Sequence, residues 1–203
     1  MNARDDILKT IRARRLERAP APAPYGPPAL PAAHVALFRA RALAVAADVR
    51  EIADIGAIPE AVADLLRAKN LPARIHLPPH SPLRGLPWTR VPGLTLQDMP
   101  PGPDEAAIAA AQFGIAETGT LVYAAAPDRP ASWHYRPGFE IAVLRARDIV
   151  GRFEDVISSM KRSPVRPSTV NLVTGPSRTA DIEQTLELGA HGPKALAILI
   201  VQD

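Results

Sequence analysis

The sequence contains no cysteine. This chain therefore has no disulfide, no thiolate nucleophile and no Cys ligands for zinc or an iron–sulfur cluster. Aromatic residues are scarce at 4%, so aliphatic side chains and alanine have to fill the core, which suits helices packed close on a sheet. No run approaches the ~20 apolar residues of a membrane span. Asp5, Asp6, Lys9 and Arg12 interrupt the stretch where a signal peptide carries its apolar core. A cytoplasmic protein with no membrane span is the expectation. The net charge is only +3, and the arginine-rich composition does not gather into one basic face, which argues against a nucleic-acid partner. Pro78 and Pro79 lie between His76 and His80, so these two cannot share a helical face as ligands, and no metal site is expected.

What is present is a hydrophobic content of 47% over 203 residues, enough for one α/β domain with decoration. Many of the 23 prolines cluster in two places. Residues 1–19 read as a helix capped by Asn2, with Asp5 and Asp6 in its first turn and arginines crowding its end. Its apolar stripe of Ile7, Leu8 and Ile11 is too thin to anchor a core. Residues 20–33 (PAPAPYGPPALP and its flank) form a proline-rich linker. The folded domain is expected over residues 34–203. There a helical stretch from Val35 to Val45, a strand at Asp48–Ile52, a helix at Ile58–Asn70 and a strand at Ala73–Leu77 alternate. Such alternation predicts an α/β fold with a mostly parallel sheet flanked by helices. Residues 78–103 are the second proline-rich region, expected either to cover a site or to form a surface arm, with short strands at Trp88–Val91 and Leu94–Leu96. Asp104–Gln112 (DEAAIAAAQ) predicts a helix with two acids in its first turn. Strands are expected at Leu121–Ala124, Glu140–Leu144 and Leu196–Val201, and a helical region at Ile149–Lys161.

The stretch Val170–Glu183 carries the strongest local grammar. An apolar run to Thr174 breaks at Gly175-Pro176 and gives way to Ser177, Arg178, Thr179 and Asp181. That order predicts a buried strand, a tight turn and a helix starting near Ser177 or Thr179. Unpaired N–H groups at such a start would point into the crevice at the strand's carboxyl end, where anions bind. Gly175, Ser177, Arg178, Thr179 and Asp181 are thus candidate ligand-binding residues, with the Arg178 fork suited to a carboxylate or phosphate. The competing reading makes Ser177 or Thr179 a plain helix cap and pairs Arg178 with Asp181 or Glu183. Upstream, Glu117 lies in a turn with Thr118, Gly119 and Thr120. It is either an acid/base or ligand-holding group, or a structural carboxylate accepting turn N–H groups. His191, in the turn before the last strand, is either a catalytic candidate or a hydrogen-bonded structural residue.

The segments GIAETGTLV (Gly114–Val122), GPSRTADIE (Gly175–Glu183) and LGAHGPKALAILIV (Leu188–Val201) together resemble the LUD-domain family. The resemblance implies a fold similar to the sugar-phosphate isomerase and CoA-transferase group. It also implies a part in oxidising L-lactate to pyruvate, beside partner proteins that carry iron–sulfur clusters. The cofactor of this chain itself stays unknown. Family members often carry a His leading into the strand after AETGT, where this sequence has Glu140, with His134 upstream. Three functional readings follow. The first is a subunit of a lactate-oxidising system with a crevice for a small anionic ligand. The second is a stand-alone enzyme acting on a phosphorylated or CoA-linked small molecule, and the third is a non-catalytic scaffold or regulatory subunit.

Overall fold

The computed structural model describes residues 3–13, 26, 28–164, 166–180, 186–188 and 192–202. In chain order the elements are α1 (Ala3–Ala13), α2 (His34–Ala44), β1 (Asp48–Ile52), α3 (Ile58–Ala68), β2 (Arg74–His76) and β3 (Thr95–Gln97). They continue with β4 (Ala106–Ala110), β5 (Phe113–Ile115), β6 (Thr120–Ala124), α4 (Ser132–Tyr135), β7 (Phe139–Arg145), β8 (Ile149–Val150) and α5 (Phe153–Arg162). The last are β9 (Val170–Val173), β10 (Arg178–Ala180), β11 (Leu186–Leu188) and β12 (Ala195–Val201).

Among the described residues six strands form an all-parallel sheet in the order β1-β12-β7-β4-β2-β3. Its central strands are apolar on both faces, and the two-residue period sorts their side chains. Ala197, Leu199 and Val201 of β12, with Ile141 and Val143 of β7, pack on Ile58, Val62, Leu65 and Leu66 of α3. The alternate residues Leu196, Ile198 and Ile200, with Ala142 and Leu144, pack against Phe38 and Ala42 of α2 and against Leu121 and Tyr123. Each fully buried aliphatic side chain of this kind contributes about 1.5–3 kcal/mol of transfer free energy.

The parallel sheet and the strands at β1, β6, β7 and β12 match expectation, but the flanking layers differ. Helix α3 covers one face. The other face carries α2 together with a four-stranded mixed sheet, β8-β5-β6-β9. Helix α5 lies on the outer side of that small sheet, with Val156 and Met160 against Ile115 and Val122. The fold is therefore layered helix, parallel sheet, helix plus small sheet, helix.

Asp104–Gln112 is not a helix. Its centre is β4, held between β7 and β2. Alanine favours helix in isolation, but a strand buried on both faces also needs small side chains where layers close tightly, and tertiary burial overrides propensity. Residues 78–103 neither cover the crevice described below nor form a loose arm. Leu83 and Trp88 are buried in the core on the α3 side, and Trp88 Nε1 donates to the Leu83 carbonyl at 2.8 Å. Trp88–Arg90 is a helical turn rather than a strand. Helix α1 buries none of its residues, as its thin stripe suggested.

Candidate functional site

Two motif turns meet at one end of the small sheet. Strand β6 pairs antiparallel with β9, setting Leu121 opposite Val173. The residues just before and just after those positions, Thr120 and Thr174, therefore become neighbours. Their hydroxyls lie 2.7 Å apart, and Thr120 is also 2.7 Å from the Thr118 hydroxyl. This run of three hydroxyls joins the AETGT turn to the start of GPSR.

The glycines of both turns press on the C-terminal end of α2. Gly119 (φ +69) would place a Cβ 2.5 Å from the Ala42 nitrogen, and Gly175 (φ +74) would place one 2.5 Å from the Val45 carbonyl oxygen. Both positions require a left-handed backbone and admit no side chain. Their first role is to let two turns lie against one helix end.

Beyond Gly175 the chain does not start a helix. Arg178–Ala180 is strand β10, paired antiparallel with β11. The Ser177 N–H donates to the Pro193 carbonyl at 2.8 Å. The expected fan of unpaired helix amides is therefore not what this turn offers. Strand pairing has used the backbone groups that a helix start would have left free. A crevice of about 540 Å³ does lie here, lined by Ala44, Val45, Tyr135, Leu172–Arg178, Gly192 and Pro193. Arg178 is exposed on its wall and makes no ion pair among the described residues.

The crevice follows the carboxyl end of β9, but relative to the parallel sheet it sits at the opposite end from the usual ligand crevice. Val45 precedes β1, Tyr135 precedes β7 and Pro193 precedes β12. These are the amino ends of parallel strands, not the carboxyl ends where open α/β sheets ordinarily bind ligands. The difference arises because β9 belongs to the small sheet and runs antiparallel to β6.

Glu117 stands outside this crevice. Its Oε1 accepts from Arg152 Nη1 at 2.9 Å, its carboxylate is 42% exposed, and its N–H donates to the Gly151 carbonyl. Arg152 Nη2 also donates to the Pro28 carbonyl, so one guanidinium ties the proline-rich segment to the AETGT turn. Thr118 and Thr120 reach the crevice only through Thr174. Asp181 and His191 lie outside the described residues, and Thr179 is described only as part of the β10 backbone.

A second polar cluster lies inside the protein. Tyr123 of β6, His134 of α4 and Glu140 of β7 are each fully buried. Tyr123 donates its hydroxyl to Glu140 Oε1 at 2.7 Å, and its ring stacks on His134 at 4.0 Å between centroids. Among the described residues, Glu140 Oε2 and both ring nitrogens of His134 are buried without hydrogen-bond partners. Burial raises the Glu140 carboxyl to about 8, against the downward pull of the Tyr123 hydrogen bond. Burial likewise lowers His134 to about 4 and, with the neighbouring Glu140, raises Tyr123 well above its ordinary value. At neutral pH all three are uncharged. The sequence signal was the replacement of a family His by Glu140 with His134 upstream. Tyr123, which both of them touch, carried no such signal because it reads as an ordinary strand aromatic.

A third group, on the α3 side, shows a different logic. Glu105 accepts from the Gly102 N–H at 2.8 Å and from Arg74 at 2.9 Å. His76 Nε2 lies 3.1 Å from it but lacks hydrogen-bond alignment. The Gly102 N–H first, then His76 and Arg74, hold this carboxyl below its ordinary value.

Taken together, the structure defines an α/β protein whose parallel sheet carries a small mixed sheet, with two glycine-bearing turns closing on one helix end. Residues 105–201 match the family model of the LUD domain. An uncharacterized protein of Neisseria meningitidis is 36% identical over 98 residues, 48% of this chain and 42% of that protein. A protein named lactate utilization protein C, from Geobacillus thermodenitrificans, is 33% identical over 100 residues, 47% of this chain and 42% of that protein. The matched part thus spans 42% of the length of these curated relatives. The crystal structure of a DUF162 family protein from Deinococcus radiodurans shares the fold, with a TM-score of 0.61 over 86% of this chain and 99% of that one, at 24% identity. No described helix is long and apolar enough to cross a membrane.

Proposed function

We propose that this chain is a LUD-domain subunit of an L-lactate utilization system, acting with iron–sulfur partner proteins in the oxidation of lactate to pyruvate. The observation that carries the reading is the similarity of its LUD-domain half to proteins named lactate utilization protein C. The absence of cysteine agrees with that division of labour, because thiolate-held clusters would have to sit on partners. In this reading the protein is cytoplasmic, residues 34–203 form the LUD-like domain with its CoA-transferase-like fold, and the crevice at Gly175–Arg178 holds an anion. Arg178 supplies the charge. The AETGT turn supports it, through the Thr118–Thr120–Thr174 hydroxyls and through Glu117 held by Arg152. A strain lacking the gene should fail to grow on L-lactate while growing on pyruvate, and tagged protein should co-purify with iron–sulfur proteins. Normal growth of the deletion strain on L-lactate rejects the reading.

A further inference from the structure

We propose that the crevice beside Gly175–Arg178 takes a nucleotide-class ligand, with a planar aromatic body laid against Tyr135 and Leu172 and a phosphate at Arg178. The inference rests on the reading above that this turn binds an anion, and it adds what the rest of the ligand must be.

Size decides first. A three-carbon hydroxy acid has six heavy atoms. Even at the ~30 Å³ that liquid water takes per heavy atom it would fill roughly 180 Å³, about a third of the 540 Å³ crevice. Cavities of this size ordinarily accept ligands several times larger than lactate.

The wall chemistry decides next. One side is apolar and open: Tyr135 is 41% and Leu172 49% exposed, with Val45, Pro176 and Pro193 beside them. A small hydrophilic acid would leave these surfaces wet, whereas a flat conjugated ring would cover them. The Tyr135 ring is braced edge-on by buried His134 at 5.9 Å between centroids, which holds it as a platform rather than a mobile side chain.

The polar side is narrow. The Ser177 N–H is spent on Pro193 and the Thr174 hydroxyl lies 2.7 Å from that of Thr120, so the Arg178 guanidinium is the charged donor on the described wall. A planar fork suits two oxygens of one phosphate. One cation beside an aromatic and aliphatic slab matches a mononucleotide better than a polyanion, which would need several cations.

The purified full chain should be titrated calorimetrically with FMN, AMP and NAD⁺, and separately with inorganic phosphate and L-lactate. At least one of the three nucleotides is expected to bind ten times or more tightly than phosphate or lactate. Arg178→Ala should weaken that binding by about tenfold or more, and Tyr135→Leu, which keeps apolar bulk against His134, by about three- to tenfold. Circular dichroism melts identify any variant that fails to fold, and Arg178→Lys, at an exposed position, serves as the second variant. If phosphate or lactate binds as tightly as every nucleotide and is lost in Arg178→Ala, the nucleotide inference falls while the anion site stands. Nucleotide binding indifferent to both substitutions places the site elsewhere and overturns the inference. If no probe binds, the inference and the anion-site reading fall together.

Discussion

A Cβ built on Gly175 would lie 2.5 Å from the carbonyl oxygen of Val45. The GPSR turn is therefore pressed against the end of α2 by direct backbone contact, and Gly119 of the AETGT turn meets Ala42 of the same helix in the same way. Gly175→Ala and Gly119→Ala should each destabilise the fold by at least about 2 kcal/mol, combining left-handed strain with a clash against backbone that cannot yield. Urea unfolding measures this. As a control, Gly85→Ala, at a position with open space, should cost well under that amount. Equal losses at all three positions would mean that the contact with α2 is not what the motif glycines provide.

The buried cluster makes a prediction about pH. Glu140 is raised from 4.5 to about 8, so across that window the unfolded chain ionises there while the folded chain stays protonated. Unfolding then releases a proton, and stability must fall as pH rises through the window. The slope is about 1.4 kcal/mol per pH unit for a whole proton. His134 acts in the opposite sense. It is lowered from 6.5 to about 4, so its contribution is present above 6.5 and is lost as pH falls toward 4. Between pH 6.5 and 8 only Glu140 of this pair changes charge on unfolding. Glu140→Gln, which keeps an acceptor for Tyr123, should flatten the stability profile there and should exceed the parent protein at pH 8. Denaturant unfolding at three pH values decides it, and an unchanged slope would show that Glu140 is ionised in the fold.

The alanine run of β4 tests how burial overrides propensity. Ala109 is buried and lies opposite Ala142 in the register of β7, in the layer that α2 and Tyr123 also fill. Ala109→Leu should destabilise by about 1–3 kcal/mol through overpacking. In a solvent-facing helix the same change would be nearly neutral. A loss below 0.5 kcal/mol, on the order of an ordinary surface change, would mean that this layer has room the packing does not suggest.

That same run shows where the sequence was legible and where it was not. Strands β1, β6, β7 and β12 and helices α2 and α3 were readable because each has its own apolar period and clear end signals. Asp104–Gln112 was not, because alanine serves equally in a helix and in a strand squeezed between layers. What decides is the neighbour, and neighbours are non-local. The stretch after Gly175 failed for a related reason. Ser, Arg and Thr after a Gly-Pro break fit a helix start, yet pairing with β11 uses the same residues as a strand. The two motif turns were recognisable as a family signature. Their meeting through Thr120 and Thr174 was not, since it depends on the antiparallel pairing of β6 with β9. Glu140 and His134 were visible as a departure from the family pattern, but only the fold brings Tyr123 between them.

Glu117 and Arg152 supply the last test, because their geometry separates support from chemistry. The pair is 2.9 Å apart with a half-exposed carboxylate, so its direct worth is about 0.2–1 kcal/mol. A double-mutant cycle of Glu117→Gln and Arg152→Met should return a coupling in that range. Arg152 also holds the Pro28 carbonyl, a contact that Glu117 does not share. Arg152→Met should therefore speed proteolysis of the proline-rich segment, while Glu117→Gln should leave cleavage nearly unchanged. For function the expectations diverge further. Glu117 does not line the crevice and Arg178 does. In a strain grown on L-lactate, Glu117→Gln should restore growth close to the parent gene, whereas Arg178→Ala should not. If instead Glu117→Gln abolishes growth while the protein stays folded and keeps its urea midpoint, the carboxylate itself does chemistry. The site would then have to be redrawn around the AETGT turn, with Arg152 as the group that orients it.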